Sequence, residues 1–532
     1  MQDFLKQNNL DYIIINSTNK FLVEYNVLEE NSRYYLTGFT GSTGDALVSR
    51  NGNIYLFVDG RYHEQADREC NLERITVVKL GQNQSFLEEA TKLINKNSTL
   101  GIIGEKTSVY RYECLKTALA EKNVEIKILE KDIYTKEISK HNKKNLDLIN
   151  KEICGKTSEE KINYIQNLLK DNEAYLFTNL EEASYITNLR DFSKAYSTAI
   201  NGKVLITKTS ATLFCDDMAE NKDLIIKPLN EFKNNLNNLN TLYFDKTSTN
   251  TADYLSFKNI AKPMLSNPVS NMKSVKTPEE IEHYKKCFER TDKAVFEIRE
   301  FINNNENISE KDIDIELEKA FKRHGAKLLS FKSIVAKDTN AALAHYSKSS
   351  EKEILEDGSL VLIDCGAYYE GGYATDITRV FVKGTPSEEQ RKIYTLVLKS
   401  SLAAFNTKIT NLTTGFDIDK TARDLLDEIA PKGFEFSHGL GHGIGISVHE
   451  QPPRLSPAIS SVTKTPLKDN MCFTIEPGLY FKNFGGVRLE NSVYMNNKKI
   501  HSFSKMCYEK KLINFDLLTE EEKEQLKDFE VM

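Results

Sequence analysis

Apolar residues fall in short runs through the first half of the chain and take helical spacing after residue 277. The strand-length segment Asn9-Leu10-Asp11-Tyr12-Ile13-Ile14-Ile15-Asn16 returns as Asn172-Glu173-Ala174-Tyr175-Leu176-Phe177-Thr178-Asn179. A second echo follows in the same order, Tyr35-Leu36-Thr37-Gly38-Phe39 against Tyr185-Ile186-Thr187-Asn188-Leu189. Each copy then gives apolar strands interrupted by an Asn-Gly turn: Asn51-Gly52-Asn53 before Ile54-Tyr55-Leu56-Phe57-Val58, and Asn201-Gly202-Lys203 before Val204-Leu205-Ile206. The order strand, helix, hairpin, helix predicts a mixed sheet with helices packed on it, built twice.

Between the copies, residues 136–156 read as a charged helical stretch, and Thr157-Ser158-Glu159-Glu160 as a capping box leading into a face of Ile162, Ile165, Leu168 and Leu169. Near residue 270 the pattern changes. Thr277-Pro278-Glu279-Glu280 supplies a cap, a first-turn proline and the Glu of a second capping box ahead of Ile281, Tyr284, Phe288, Val295 and Ile298. This predicts a long amphipathic helix, with another over 309–321. Gly and Pro thicken beyond Ser330, as expected where backbone turns tightly around a site. The expected fold class is α/β (α+β), in three domains at 1–145, 146–271 and 272–532.

The totals fit that division. At about 150 residues per domain, 532 residues suggest three to four. With 71 basic against 77 acidic residues the net charge is −6, so neither a nucleic-acid footprint nor a polybasic membrane anchor is expected. The opening residues carry acid early and lack a signal-peptide core, and no apolar stretch approaches the ~20 residues of a membrane span. Eight cysteines stand singly without a C-x-x-C pair, which points to reduced thiols in a cytoplasm. Cys365 and Cys472, close to the acids described next, read as packing residues.

Candidate chemistry lies in the last third. Asp364-Cys365-Gly366 ends the strand Leu360-Val361-Leu362-Ile363, and Asp376 opens the next, with Glu370-Gly371-Gly372-Tyr373 between; a hairpin sets the two aspartates side by side. The segment His438-Gly439-Leu440-Gly441-His442-Gly443-Ile444-Gly445-Ile446-Ser447-Val448-His449 holds three of the nine histidines, its glycines letting backbone crowd a pocket. Glu476 follows Phe473-Thr474-Ile475, and Arg488 and Glu490 share one face of a strand while Val487 and Leu489 pack the other way. Singly each segment is a weak signal. Four carboxylates converging with an imidazole repel one another, and two divalent cations would balance them while acidifying a shared water.

In this order the motifs resemble the M24 metallopeptidases of the pita-bread fold, which include methionine aminopeptidase, prolidase, creatinase and Xaa-Pro aminopeptidase. The resemblance implies that Asp364, Asp376, His442, Glu476 and Glu490 ligate two metals. It implies catalytic roles for His345, in Ala344-His345-Tyr346, and for His449 and Glu476. His345, His438, His449, Tyr480 and Arg488 are then substrate-binding, with His438, Tyr480 and Arg488 on the proline side. Over essentially the whole chain the layout resembles the three-domain cytosolic Xaa-Pro aminopeptidases, two creatinase-like N-terminal α/β domains followed by a pita-bread domain. Gly38-Phe39-Thr40-Gly41-Ser42-Thr43-Gly44, Asp59-Gly60-Arg61-Tyr62 and the stretch from Leu512 to Glu520 match that type.

The implied reaction is hydrolysis of the bond between an N-terminal residue and a penultimate proline by a hydroxide bridging the ions, with Glu476 as proton acceptor. Manganese is the expected metal and a homodimer the expected state. An Xaa-Pro dipeptidase is the nearest alternative. A binding module that has lost its metals is a more distant one, since such a module should lack ligands and all five stand here. Two points stay open: the hairpin from Asp364 to Asp376 is one residue longer than the family commonly has, and Arg61 either makes a structural salt bridge or reaches a site across a subunit interface.

Overall fold

A computed structural model describes residues 1–81, 84–130, 132–134 and 143–529. The chain forms two compact units. The first comprises Met1–Leu148, Ser158–Leu189 and Ala199–Pro268; the second comprises Ile149–Thr157, Arg190–Thr198 and Val269–Met532.

The first unit contains one architecture twice. Strands β1 (Tyr12–Ile15), β2 (Asp45–Ser49), β3 (Ile54–Val58), β4 (Ile75–Lys79), β5 (Thr99–Ile103) and β6 (Glu125–Leu129) form a sheet in the order β4-β3-β2-β1-β5-β6. Strands β7 (Glu173–Phe177), β8 (Gly202–Thr207), β9 (Ala211–Cys215), β10 (Ile225–Lys227), β11 (Thr241–Phe244) and β12 (Lys262–Leu265) repeat it as β10-β9-β8-β7-β11-β12. β1 runs antiparallel to β2 and parallel to β5, as β7 does to β8 and β11. The expected mixed sheets are therefore present, and Ile13, Ile14 and Ile15 are wholly buried at the centre of the first.

Three local expectations change. The Asn51-Gly52 turn joins β2 to β3, with Gly52 at φ +95°. Asn201-Gly202 is not a turn: Gly202 opens β8 opposite Cys215, and the hairpin lies at Lys208-Thr209-Ser210, closed by Thr207 N–H on Ser210 O at 2.9 Å. The cause is close packing, since a Cβ on Gly202 would stand 2.9 Å from Leu213 Cδ1 and 3.1 Å from Phe214 O. Of the expected charged helix, residues 136–142 lie outside the described residues, and the rest breaks into a strand at Asp147–Leu148 and a short helix, Lys151–Cys154. The following helix, Ser158–Asn167, buries Ile162 and Ile165 as expected, but Leu168 lies beyond its end and is exposed. Arg61 makes the structural salt bridge: its Nε and Nη2 donate to the two Asp59 carboxylate oxygens, both at 2.9 Å, and Nη2 also to Thr43 Oγ1 at 3.0 Å.

Beyond Thr277 the second unit contains α1 (Pro278–Asn304) and α2 (Glu310–Arg323), each begun by a capping box, from Thr277 with Glu280 and from Ser309 with Asp312. Its main sheet has the order β13-β14-β15-β19-β16, where β13 is Ile334–Lys337, β14 Leu360–Cys365, β15 Ile377–Val382, β16 Cys472–Ile475 and β19 Glu490–Asn496. Gly478–Phe481 (β17) and Gly485–Arg488 (β18) pair as a separate ribbon. Alternation along β14 explains the layering. Val361, Ile363 and Cys365 join Ile298 of α1 and Leu317 of α2 in one core. Leu360 and Leu362 face the other way into a core with Val397 and Ile418 of α3 (Glu388–Phe405) and α4 (Gly415–Ile429). Helices thus cover both sheet faces, and Asp364 continues the Leu360-Leu362 row. Among the described residues no helix is long and apolar enough to cross a membrane, and all eight cysteines are free.

Candidate metal centre

The apolar row that faces α3 and α4 turns polar at one end of the sheet. Asp364 lies opposite Thr378, and Thr378 opposite Glu490, so the β14, β15 and β19 positions form a line across three strands. Asp376 stands two residues before Thr378 on the same face. The hairpin joining them turns at Gly371 and Gly372, at φ +93° and +65°, a conformation glycine adopts without penalty. Glu476 directly follows β16. His442 is brought in by glycine: a Cβ on Gly441 would lie 2.0 Å from Thr474 O, so only a bare backbone lets His442 N–H reach Thr474 Oγ1 at 3.1 Å.

Asp376, His442 and Glu490 offer ligand atoms that all lie within 4.8 Å of one another. His442 Nε2 is 3.6 Å from Asp376 Oδ2 and 3.5 Å from Glu476 Oε1. Its Nδ1 lies 3.1 Å from Gly443 O. A carbonyl only accepts, so Nδ1 carries the proton and Nε2 presents a lone pair to the carboxylates. Two lone pairs facing each other at such distances repel unless something positive sits between them. Asp364 Oδ1 and Asp376 Oδ1 are also buried without a hydrogen-bond partner.

Electrostatics agree. Burial, then the charges of Glu490, Asp364 and Glu476, push Asp376 well above the usual carboxylate range. Burial and Glu490 do the same to Glu476, while burial and Asp364 raise Glu490 to about 8. Glu490 raises Asp376 and Asp364 raises Glu490, so without cations the cluster retains protons. The donor set, four carboxylates and one correctly tautomerised imidazole, fits two hard divalent ions. Cys365 is buried beside it and Cys472 is buried near Lys276 and Glu450; desolvation pushes both thiols up, and so they remain protonated packing residues.

A polar wall adjoins this group. Arg488 donates from Nη2 to Asp364 Oδ2 at 2.6 Å, from Nη1 to the Tyr480 hydroxyl at 2.7 Å and from Nε to Thr378 Oγ1 at 3.3 Å. The Tyr480 hydroxyl is 2.8 Å from His438 Nε2, and His438 Nδ1 is 2.8 Å from Gly439 O. The same tautomer argument makes His438 Nε2 an acceptor, so Tyr480 accepts from Arg488 and donates to His438. Burial raises the Tyr480 hydroxyl to about 12, keeping it neutral. The His449 ring stands edge-on to His442 with centroids 4.4 Å apart.

His345 is half-buried on the turn after the 3-10 helix Asp338–Ala342. That helix lies against β18, because Cβ atoms on Gly485 and Gly486 would come within 2.1 Å of Asp338 O and 2.2 Å of Ala341 O. The neighbouring Tyr346 hydroxyl donates to Glu310 at 2.8 Å.

Thr378 and Thr474 were not among the sequence candidates. Thr378 Oγ1 donates to Glu490 Oε2 at 2.8 Å, and Thr474 Oγ1 to Glu476 Oε1 at 3.3 Å. Both stand two positions from a candidate acid on a strand, so period-two alternation was the available signal.

Residues 1–134 and 137–280 each match a creatinase/prolidase N-terminal domain, and 282–497 match metallopeptidase family M24. Xaa-Pro aminopeptidase 1 of Dictyostelium discoideum is 27% identical over 577 residues, spanning 99% of this chain and 91% of that protein. X-prolyl aminopeptidase from Caenorhabditis elegans, a cytosolic enzyme with a di-nuclear active site, superposes with a TM-score of 0.88 at 21% identity, covering 98% of this chain and 90% of that one. The prolidase from Pyrococcus horikoshii is 29% identical with a TM-score of 0.54, covering 67% of this chain and 99% of that one.

Proposed function

The chain belongs to metallopeptidase family M24, with creatinase-type domains ahead of its pita-bread catalytic domain, and we propose that it is a dinuclear Xaa-Pro aminopeptidase. The carrying observation is the convergence of Asp376, His442 and Glu490, whose ligand atoms all lie within 4.8 Å of one another, with Glu476 Oε1 3.5 Å from His442 Nε2. The full-length likeness to Xaa-Pro aminopeptidase 1 supports the substrate class. The likeness to the Pyrococcus horikoshii prolidase reaches 67% of the chain.

Asp364, Asp376, His442, Glu476 and Glu490 would hold two divalent ions, with manganese suited to so oxygen-rich a set. Such ions, when bound, acidify water and polarise a carbonyl. Glu476 accepts the proton of the attacking water. His449 and His345 donate toward the scissile carbonyl oxygen as charge develops there, and His345 serves the leaving nitrogen. Tyr480, His438 and Arg488 form a preorganised wall for the proline ring, each fixed by the others before substrate arrives. Domain boundaries at 145/146 and 271/272, a cytoplasmic location and a homodimer complete the proposal; the eight free thiols support the location.

The test adds manganese to metal-free enzyme and compares an Xaa-Pro dipeptide, an Xaa-Pro-Yaa peptide and a non-proline peptide. Release of the first residue from Xaa-Pro-Yaa is expected. Cleavage of the dipeptide alone would make the chain a dipeptidase, and equal cleavage of the non-proline peptide would remove the proline wall.

A further inference from the structure

The chain from Gly443 to Glu450 leaves the His442 position and returns so that His449 lies against it. Hydrogen bonds explain part of the return: Glu450 N–H donates to Gly443 O at 2.8 Å, Gly443 N–H to Pro453 O at 2.8 Å, and Gly445 N–H to Ser447 O at 3.0 Å. The Glu450 side chain adds the rest. It is 2% exposed, and its Oε2 accepts from Ile446 N–H at 2.9 Å, so the carboxylate folds back over its own loop. Gly445 makes room for it, since a Cβ there would lie 2.1 Å from Cδ and from both oxygens.

A buried carboxylate needs buried cations, and Glu450 has two. Lys276 Nζ is 2.6 Å from Oε1 and Lys273 Nζ is 3.7 Å from it; both lysines are at most 4% exposed. Lys273 Nζ also donates to Gln451 O at 2.9 Å, and Lys276 Nζ to Lys273 O at 2.7 Å. The lysines thus grip the loop at a side chain and at the backbone beside it. Burying such a triad is costly to stability unless well-packed alternatives are absent, so its presence calls for another reason. Ile446 N–H, held by the Glu450 carboxylate, and the Gln451 carbonyl, held by Lys273, bracket in sequence His449, whose ring meets His442.

We propose that Glu450, clamped by Lys273 and Lys276, is a positioning residue that fixes the His449 ring over the metal centre. The proposal rests on the aminopeptidase reading for its catalytic consequence but not for its geometry. A displaced side chain releases the Ile446 bond and a neutral one loses the ionic hold of the two lysines; either lets the loop, and His449 with it, move by an ångström or so. A displacement of that size costs a catalytic group roughly 10²-fold in turnover.

Two variants probe it in the full-length chain. Glu450→Gln with Lys276→Met removes one charge of each sign, leaving the cluster's net charge unchanged. Gly445→Ala keeps every charge and places a methyl 2.1 Å from the Glu450 carboxyl carbon. The first readout is activity-independent: carbethoxylation of His449 by diethyl pyrocarbonate, followed by peptide mass spectrometry with His63 as internal control. Both variants should modify severalfold faster at His449 and equally at His63. The second is kinetic, on an Xaa-Pro-Yaa peptide: kcat should fall roughly 10²-fold with KM little changed and the metal content of the unmodified enzyme retained. Adding His449→Ala should then cost nothing more. Unchanged His449 reactivity overturns the proposal, as do losses that multiply with His449→Ala. If the unmodified chain cleaves no Xaa-Pro peptide, the aminopeptidase reading falls while the modification rates still decide the positioning.

Discussion

Metal loading should expel protons, in an amount the carboxylate cluster sets. Glu490, at about 8 against an ordinary 4.5, is about nine-tenths protonated at pH 7 in metal-free enzyme, and Asp376 and Glu476 are raised as well. Ligation needs all of them ionised, so binding at pH 7 should release at least about one proton per chain. The sign for stability follows. Between about pH 4.5 and 8 the folded metal-free state holds a proton that the unfolded state has lost, so stability falls as pH rises through that window. From Glu490 alone the loss is of order 5 kcal/mol. Isothermal titration of manganese into metal-free enzyme, in two buffers of different ionisation enthalpy, counts the protons. Thermal melts of metal-free enzyme from pH 5 to 8.5, against Glu490→Gln as a control without that slope, read the stability. Proton-neutral binding at pH 7, or a metal-free midpoint that climbs with pH more steeply than the control, refutes the electrostatic account of this cluster.

Other perturbations separate the parts of the site. Asp376→Ala or Glu490→Ala should abolish metal retention by elemental analysis and eliminate turnover, while the melting transition of the first unit stays in place. Tyr480→Phe removes a hydroxyl with a charged donor at 2.7 Å and an imidazole acceptor at 2.8 Å; kcat/KM on Xaa-Pro-Yaa should drop by about 1.5 to 3 kcal/mol's worth, roughly 10- to 150-fold, with metals retained. Arg379 is wholly buried and spends its guanidinium on the carbonyls of Thr378, Glu490, Met506 and Cys507 and on the Asn491 side chain. Arg379→Lys cannot reproduce that fork, so hydrogen exchange in peptides covering 490–508 should accelerate by about 10²-fold, corresponding to about 3 kcal/mol; an unchanged rate would show those bonds to be dispensable.

Much of this was legible because the decisive signals are local. Thr277 and Glu280, or Ser309 and Asp312, stand three residues apart and state a helix start without help from the rest of the chain. Duplication in the first unit was visible because burial on both faces forces similar apolar runs at similar places. Asn201-Gly202 misled for the converse reason. Asn-Gly is a turn signal only when nothing else needs a glycine, and there the facing strand needed it.

The site divides along the same line. Each candidate announced itself through its neighbours: alternating glycines around His442, a strand ending at Asp364 and Cys365, a strand face shared by Arg488 and Glu490. The residues packed around these candidates gave no such notice, because their partners are remote in sequence. Lys276 and Glu450 are 174 residues apart and Arg379 and Met506 are 127 apart. Neither pair has a spacing that periodicity could detect, and each is recognisable only once the sheet and its cores have set the chain ends side by side. The hairpin between Asp364 and Asp376 joins the two classes. Its glycines turn the chain with positive φ at Gly371 and Gly372, while β14 and β15 keep Asp364 opposite Thr378 in an unbroken ladder from Leu360 to Cys365, so the spacing of the two aspartates is set by strand register and not by the length of the loop that joins them.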